Sequence, residues 1–286
     1  MKKEHKILMN DQAVIYVLER GIPGKPAILL VPGLSGTVES YFSIIDDLDK
    51  TGEFHILAMD FRSHGGSERT KKDGMRIARL SKDLQEVITA FGLDQISLLG
   101  HSMGCGVIWS YIELFGEEKI TSLIFVDQPP TVMSSNLIEH GYESQWSVVK
   151  LEDAPGMVDR LRDPEHFIKV LSEHFEYGFV TKDALDQLEL WLANAEDMDP
   201  ASIARLMFDS LTRDWTDMIH TITKPTLVIG GEVSMVPWQS QAWISKQIKN
   251  AQLKIFTPEE AGSHCMFLEP AGRAIFNQTL TKFLLD

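Results

Sequence analysis

The chain is predicted to fold as a doubly wound α/β protein, a mostly parallel sheet with an all-helical segment inserted late in its order, and three observations predict it. Short apolar runs ending at Gly, Pro or Asp alternate with segments whose apolar residues recur at helical spacing. Several of those runs are apolar on both faces, as strands covered on both sides of a parallel sheet must be. The length of 286 residues, 44% of them hydrophobic, is enough to bury the core of one large domain with an insertion.

The first element is a hairpin, with "KILMN" and "AVIYVLERG" on either side of the turn pair Asn10-Asp11. The runs "PAILLVPG", "FHILAMD", "ISLLG", "SLIFVD", "PTLVIGG" and "LKIFTP" follow as strands. Helices are expected over Ser40 to Leu48, Met75 to Phe91, Met103 to Phe115, Gln239 to Ile248 and Ala271 to Leu285. Strand and helix taking turns is the signature of the doubly wound class.

Residues 131–223 break that alternation. No strand is expected there, whereas Asp163-Pro164 and Asp199-Pro200 each read as an N-cap followed by Pro at the first helical position. Behind them Phe167, Val170, Leu171 and Phe175, then Ile203, Leu206 and Met207, recur at helical spacing. The expected organisation is a core of residues 1–130 and 224–286 with a helical cap, 131–223, inserted after the sixth strand. An insertion at the C-terminal edge of a sheet lies over the crevice where ligands bind.

Charge and composition narrow the partners. A net charge of −14 disfavours phosphate backbones and anionic membranes, so a small-molecule substrate is expected. The opening "MKKEHKILMND" is basic, but an alternating strand pattern follows it in place of an apolar run. No stretch of about 18 uncharged apolar residues occurs later, so neither secretion nor membrane anchoring is expected. Cys105 and Cys265 match no disulfide framework, zinc site or CxxC pattern, which points to a reducing cytoplasm and to two buried, inert thiols.

The most informative stretch is "SLLGHSMGCGVIWSY", residues 97–111, where a strand ends, a serine stands between glycines and a helix begins. A sharp strand-to-helix turn pushes such a serine out to where substrate can reach it. Side chains at Gly100 or Gly104 would strike the neighbouring strand and helix. The helix that follows aims its free N–H groups and positive dipole end at the place where an oxyanion would develop.

Three more segments join it: "VPGLSG" after the third strand, "DFRSHGGSE" after the fourth and "GSHCMFLEP" near the C-terminus. In order and spacing the chain is similar to α/β-hydrolase fold enzymes over nearly its full length. The nearest resemblance is to the bacterial esterase and non-haem chloroperoxidase-like group. It implies Ser102 as nucleophile, His264 as general base, and the N–H groups of Leu34 and Met103 as oxyanion hole. His101, which precedes the serine, is expected to pack and hydrogen-bond away from it. His64 is read as standing where the Asp-x-Arg-Gly-x-Gly pattern has Gly, and with Gly33 and Trp238 it is a candidate pocket residue.

The acid departs from the common pattern. Most relatives carry an Asp after the seventh strand, where "VIGGEVSMVPW" offers Ser234. The sixth strand ends in Asp127, the position used by some branches, and a triad is defined by geometry, not chain order. Asp127 is the expected acid, with Glu232 as the alternative.

The resemblance then implies hydrolysis of a carboxylic ester or lactone through an acyl-enzyme, with no metal or organic cofactor required. Haloalkane and epoxide hydrolysis are disfavoured, because those branches use an Asp nucleophile. The segment 131–223 holds 18 Asp and Glu against 7 Lys and Arg, a charge that would favour neutral or cationic apolar substrates, macrolide-type lactones among them. Trp146, Trp191, Trp215 and Trp238, with Phe175 and Tyr177, are candidates for an aromatic lining. Two alternatives stay open: a cofactor-free His/Asp dioxygenase of a heteroaromatic ring, and a non-catalytic ligand receptor on the same fold.

Overall fold

A computed structural model describes residues 2–69, 74–133, 148–173, 195 and 198–286 in full, and residues 134 and 174–176 by their backbone. The hairpin forms as read: β1 (Lys3–Leu8) pairs antiparallel with β2 (Val14–Gly21) from Lys3 opposite Glu19 to Leu8 opposite Val14. Then come β3 (Ala27–Val31), a 3₁₀ turn (Val38–Tyr41), α1 (Phe42–Thr51), β4 (His55–Met59), α2 (Ile77–Ala90), β5 (Ile96–His101), α3 (Met103–Phe115) and β6 (Ile120–Val126). After the insertion, β9 (Thr226–Gly231), α8 (Trp238–Gln247), β10 (Ala251–Phe256) and α9 (Pro270–Leu285) complete the chain.

Eight strands form one sheet in the order β1-β2-β4-β3-β5-β6-β9-β10. β2 runs antiparallel to β1 and β4, and every other neighbouring pair is parallel. Every residue of β3, β4, β5 and β9 is buried. Their doubly apolar sequence is thus accounted for by a sheet covered on both faces. The expected helix over Ser40–Leu48 is split: the 3₁₀ turn precedes α1, which continues to Thr51 and stops at Gly52, whose φ of 68° lies in the left-handed region.

The insertion holds α4 (Ala154–Arg162), α5 (Phe167–Glu176), α6 (Pro200–Leu211) and α7 (Thr216–Ile219). Asp199 caps α6 as read, its carboxylate accepting the Ser202 N–H at 2.9 Å, with Pro200 in the first turn. The Asp163 carbonyl accepts the Phe167 N–H at 2.8 Å, so helical bonding begins there and α5 follows. Phe167, Val170, Leu171, Ile203, Leu206 and Met207 are buried, as their spacing implies.

Two features were not expected. Met133–Ser134 (β7) and Val149–Lys150 (β8) form a small parallel pair, beside which the Val132 carbonyl accepts the Val148 and Val149 N–H groups at 2.9 and 3.1 Å. Strands of two residues carry no periodicity to read. α4 was also missed, since nothing in its charged sequence stands out beyond Pro155 in the first turn.

The described helices of the insertion share the hydrophobic core and are also hydrogen-bonded to the rest of the chain. Thr131 bridges Asp214, and the Trp215 N–H reaches the Pro130 carbonyl at 3.0 Å, so both ends of the segment meet beside β6. From α6, the Asp209 carboxylate accepts the Ile77 N–H at 2.8 Å, placing negative charge on the first turn of α2. Among the described residues no helix is long and apolar enough to cross a membrane.

Candidate active site

Ser102 stands between β5 and α3 with φ 52° and ψ −130°, a conformation that costs on the order of 1–3 kcal/mol and persists only where its surroundings enforce it. Here the surroundings are backbone. The Ser102 N–H donates to the Val126 carbonyl at 2.8 Å, and a Cβ at Gly100 would come within 2.7 Å of the Cys105 nitrogen. A Cβ at Gly104 would overlap the carbonyls of Val31 and Pro32. Both glycines are required for α3 to start this close to the sheet.

The acid and the histidine come from other strand ends. Asp127 follows β6 with φ 53°, and its N–H is held by the Ile229 carbonyl at 2.8 Å. His264 lies in the loop between β10 and α9. Its Nδ1 is 2.6 Å from Asp127 Oδ2 although 137 residues separate the two. The Ser234 hydroxyl, in the loop after β9, donates to the same Oδ2 at 2.5 Å and accepts the Val236 N–H at 3.0 Å.

Burial acts oppositely on this pair: it pushes the His264 imidazole down to about 4 and raises the Asp127 carboxyl, a rise that the Ser234 hydrogen bond counters. The imidazole is therefore uncharged at neutral pH. With Nδ1–H donating to Asp127, the Nε2 lone pair is free to take a proton.

Ser102 and His264 line one cavity of about 50 Å³ together with Leu34 and Met103. Neither the Leu34 nor the Met103 N–H has an acceptor among the described residues. An adjoining cavity of about 960 Å³, between β8, α4 and α5, shares Val148, Val149 and Met235 with the inner one. The chemistry open to this arrangement is attack by a hydroxyl on an electrophilic carbon, with proton transfer to an oriented neutral imidazole.

Other candidates fall as follows. His101 is packed: Nε2–H donates to the His264 carbonyl at 3.0 Å and Nδ1 faces the Tyr41 hydroxyl at 3.4 Å. The Tyr41 hydroxyl also accepts the Gly33 N–H at 3.3 Å, so two buried side chains join the loop after β3 to the backbone of His264. A Cβ at Gly33 would lie 3.2 Å from that of Ser102. Glu232 is exposed and makes no hydrogen bond to His264. Cys105 and Cys265 are free and buried, and burial raises both thiols.

His64 and Trp238 do not line the cavity. His64 is fully buried, with Nδ1 donating to the Arg62 carbonyl at 2.9 Å, and the left-handed residues of that turn are Ser63, at φ 62°, and Gly65, at φ 47°. The glycine-favouring position is therefore 63 and not 64. Trp238, 37% exposed, opens α8, while Trp215 is buried against Trp109. Trp146, Trp191 and Tyr177, and the side chain of Phe175, lie outside the described residues. In place of the expected aromatic lining, the described walls are aliphatic and methionine, among them Val132, Val149, Met207, Leu211 and Met235.

Sequence reasoning also missed Asp60. One oxygen of its buried carboxylate accepts the Val38 N–H at 2.7 Å and the other the Gly66 N–H at 2.8 Å, which clamps the loops after β3 and β4 together. Burial pushes this carboxyl up to about 6.

Comparison with known proteins places the fold. An epoxide hydrolase 3 of Xenopus tropicalis is 26% identical over 82% of this chain and 67% of its own. A non-heme chloroperoxidase, CPO-A1, of Kitasatospora aureofaciens is 24% identical over 80% and 81%. An esterase structure from Exiguobacterium antarcticum superposes with a TM-score of 0.86 at 20% identity, over 100% of both chains. The alpha/beta hydrolase fold family matches residues 26–271, most of the chain, and the chain belongs to that family.

Proposed function

We propose that the chain is a serine hydrolase that cleaves a carboxylic ester or lactone through an acyl-enzyme. The observation that carries the reading is the His264 Nδ1 to Asp127 Oδ2 contact of 2.6 Å on a histidine that shares its cavity with the strained Ser102. Ser102 Oγ attacks the carbonyl carbon while His264 Nε2 takes its proton. The oxyanion is held by the N–H groups of Leu34 and Met103 at the positive end of α3. Collapse breaks the bond to the leaving oxygen, which receives the proton from Nε2. Water, deprotonated by the same nitrogen, then frees the acid and restores Ser102. Asp127 orients the imidazole and stabilises it while it is charged; Glu232 has no part.

In this reading residues 1–130 and 224–286 form the catalytic core and 131–223 a cap over it. The substrate is small to medium and apolar, neutral or cationic, in keeping with an insertion that holds most of the chain's net negative charge; macrolide-type lactones fall in this class. Epoxide opening fits less well. Attack by Ser102 on an epoxide carbon would leave an ether, which water does not cleave, whereas a carboxylate nucleophile leaves a hydrolysable ester. Two buried free thiols suit a cytoplasmic setting.

One observation favours a second reading. The acid follows β6, where cofactor-free dioxygenases of this fold place theirs, and a His264–Asp127 base could deprotonate a heteroaromatic ring for attack on oxygen with no role for Ser102. Intact mass after fluorophosphonate treatment separates the two. One adduct on wild type and none on Ser102→Ala, with p-nitrophenyl acetate turnover lost in the variant, is expected. No adduct and no turnover would remove the hydrolase reading.

A further inference from the structure

Among the described residues that line the cavity at Ser102, two polar side chains, Gln128 and Ser210, have no part in the proposed reaction. Gln128 directly follows Asp127, is only 6% exposed, and lines this cavity. Its carboxamide has no hydrogen-bond partner among the described residues, although it offers two donors and an acceptor. Neither amide atom is among the side-chain atoms sealed from solvent without a partner, so the carboxamide opens to the cavity and its natural complement is whatever occupies that space. Ser210, on α6, adds a second hydroxyl on the same wall without a side-chain partner. Among the described residues no Lys, Arg, Asp or Glu lines this cavity. On the described walls a charged substituent finds no counter-ion, while a neutral one finds a donor and an acceptor.

We infer that Gln128 is a specificity-determining residue that hydrogen-bonds a neutral polar substituent, a hydroxyl or amide, close to the scissile carbonyl. The inference rests on the serine hydrolase reading and sharpens it: the substrate is a hydroxy- or amido-substituted ester or lactone, uncharged next to the reacting carbon. The cavity volume of about 50 Å³ keeps that substituent small. A water needs about 10–15 Å³ of such space, so only a few heavy atoms beyond the carbonyl occupy the inner space. Bulkier parts of the substrate extend past Val148, Val149 and Met235 into the larger cavity.

The test uses matched small esters: methyl lactate against methyl isobutyrate, and methyl 3-hydroxybutanoate against methyl 3-methylbutanoate. Each pair exchanges a hydroxyl for a methyl at nearly constant shape. In at least one pair the hydroxy-to-methyl ratio of kcat/KM should fall about tenfold or more in Gln128→Leu relative to wild type. Using the ratio within each protein cancels the intrinsic reactivity of the two esters. Gln128→Glu, which keeps the shape and an acceptor, should retain most of the preference. An unchanged ratio in Gln128→Leu, or an equal loss on both esters, overturns the inference, because either outcome marks Gln128 as packing.

Fluorophosphonate labelling keeps the two levels apart. If wild type neither labels nor turns over, the hydrolase reading fails by itself, and Gln128 is then read by binding. Lactamide should perturb the protein's NMR spectrum at lower concentration than isobutyramide in wild type, and this difference should vanish in Gln128→Leu. Equal binding of the two amides by wild type overturns the Gln128 assignment whatever the turnover.

Discussion

The strand ends that carry the reacting groups and the helices that lie over them are built on different physics. At the strand ends, three loops hold residues in positions set by backbone contacts with the sheet. Ser102 is pinned to Val126 and Asp127 to Ile229, and a Cβ at Gly104 would overlap backbone. Every proposed catalytic side chain there has a named partner or a backbone restraint. The insertion is made of short helices that meet the core through a bridge at Thr131, the Trp215 N–H and the Asp209 carboxylate. In the proposed reading the chemistry is fixed by the sheet, and access and selectivity fall to an inserted element whose described helices join the core through apolar side chains and these hydrogen bonds.

The largest effects should follow from breaking the strand-end machinery. Asp127→Ala removes the partner of His264 Nδ1, and kcat should fall by about 10³–10⁴ while fluorophosphonate labelling slows in parallel. Glu232→Gln should leave kcat within a factor of two. A large loss in Glu232→Gln with activity retained in Asp127→Ala would reverse the assignment of the acid. Gly104→Ala attacks the same region through packing: its Cβ cannot move away from the Val31 and Pro32 carbonyls. A shift in the urea midpoint equivalent to several kcal/mol, or loss of soluble protein, is expected.

Acidity should separate the buried groups of the core. Burial lowers both His264 and His64 to about 4, below the 6.5 of a free imidazole. The unfolded chain binds more protons at these sites between pH 4 and 6.5, so stability falls as the pH drops through that window. Asp60 works the other way, because its carboxyl is raised to about 6 and the folded state takes up that proton more readily. Burial also lowers His101 and raises Asp127, so three histidines stand against two carboxyls, and melting temperature should decline from pH 7 to pH 4.5. His64→Gln should flatten that decline by up to about 3 kcal/mol, the size of a shift of roughly two units or more. In kcat/KM the acid limb should lie below pH 6.5, and Asp127→Asn should move it further down, since the carboxylate that favours imidazolium is gone.

How much of this was legible in the sequence follows the same division. The turn at Ser102 could be read because its requirements are local: glycines two residues to either side and a helix start. The strands could be read because burial on both faces leaves runs with no polar residue. Asp127 and His264 came from family resemblance, since no local pattern brings together groups 137 residues apart. Ser234 was noted only as a missing acid, yet it donates to the acid that replaced it. Nothing in the sequence shows that Tyr41 reaches His101, that Asp60 clamps two loops or that Gln128 lacks a partner, because each depends on which strands become neighbours. The turn pattern was read one residue out at His64: counted from Asp60, its two glycine positions fall on Ser63 and Gly65, the residues that take positive φ. In the insertion, helix caps were legible at Asp163 and Asp199, but β7 and β8 were too short and α4 too polar to be seen.

Ser234→Ala tests how far the strand-end network extends. The hydroxyl shares Oδ2 of Asp127 with His264, and Oδ1 is buried without a hydrogen bond among the described residues. Removing the hydroxyl takes away a bond that favours the ionised carboxylate, so kcat should drop about tenfold with KM little changed. Ser234→Thr, which keeps a hydroxyl, should restore most of the rate. Loss of KM alone would instead assign Ser234 to the pocket wall beside Met235.

The smallest effect is expected in the insertion and is the most direct check on the contrast between the two regions. Asp199→Ala removes the carboxylate that accepts both the N–H and the hydroxyl of Ser202, and with it the cap of α6. Caps of this kind contribute about 1 kcal/mol. Pro200 remains at the start of the helix, and Ile203, Leu206 and Met207 still bury its inner face, so the loss stays local. Met207 and Ser210 of α6 line the cavity, whereas Ser102, Asp127 and His264 take their positions from the sheet. KM should therefore rise severalfold, the rate of fluorophosphonate labelling with a small reagent should hold, and kcat should stay near wild type. If kcat fell with KM unchanged, α6 would be setting the geometry of the reacting groups, and the division between a rigid catalytic edge and a locally held cover would have to be given up.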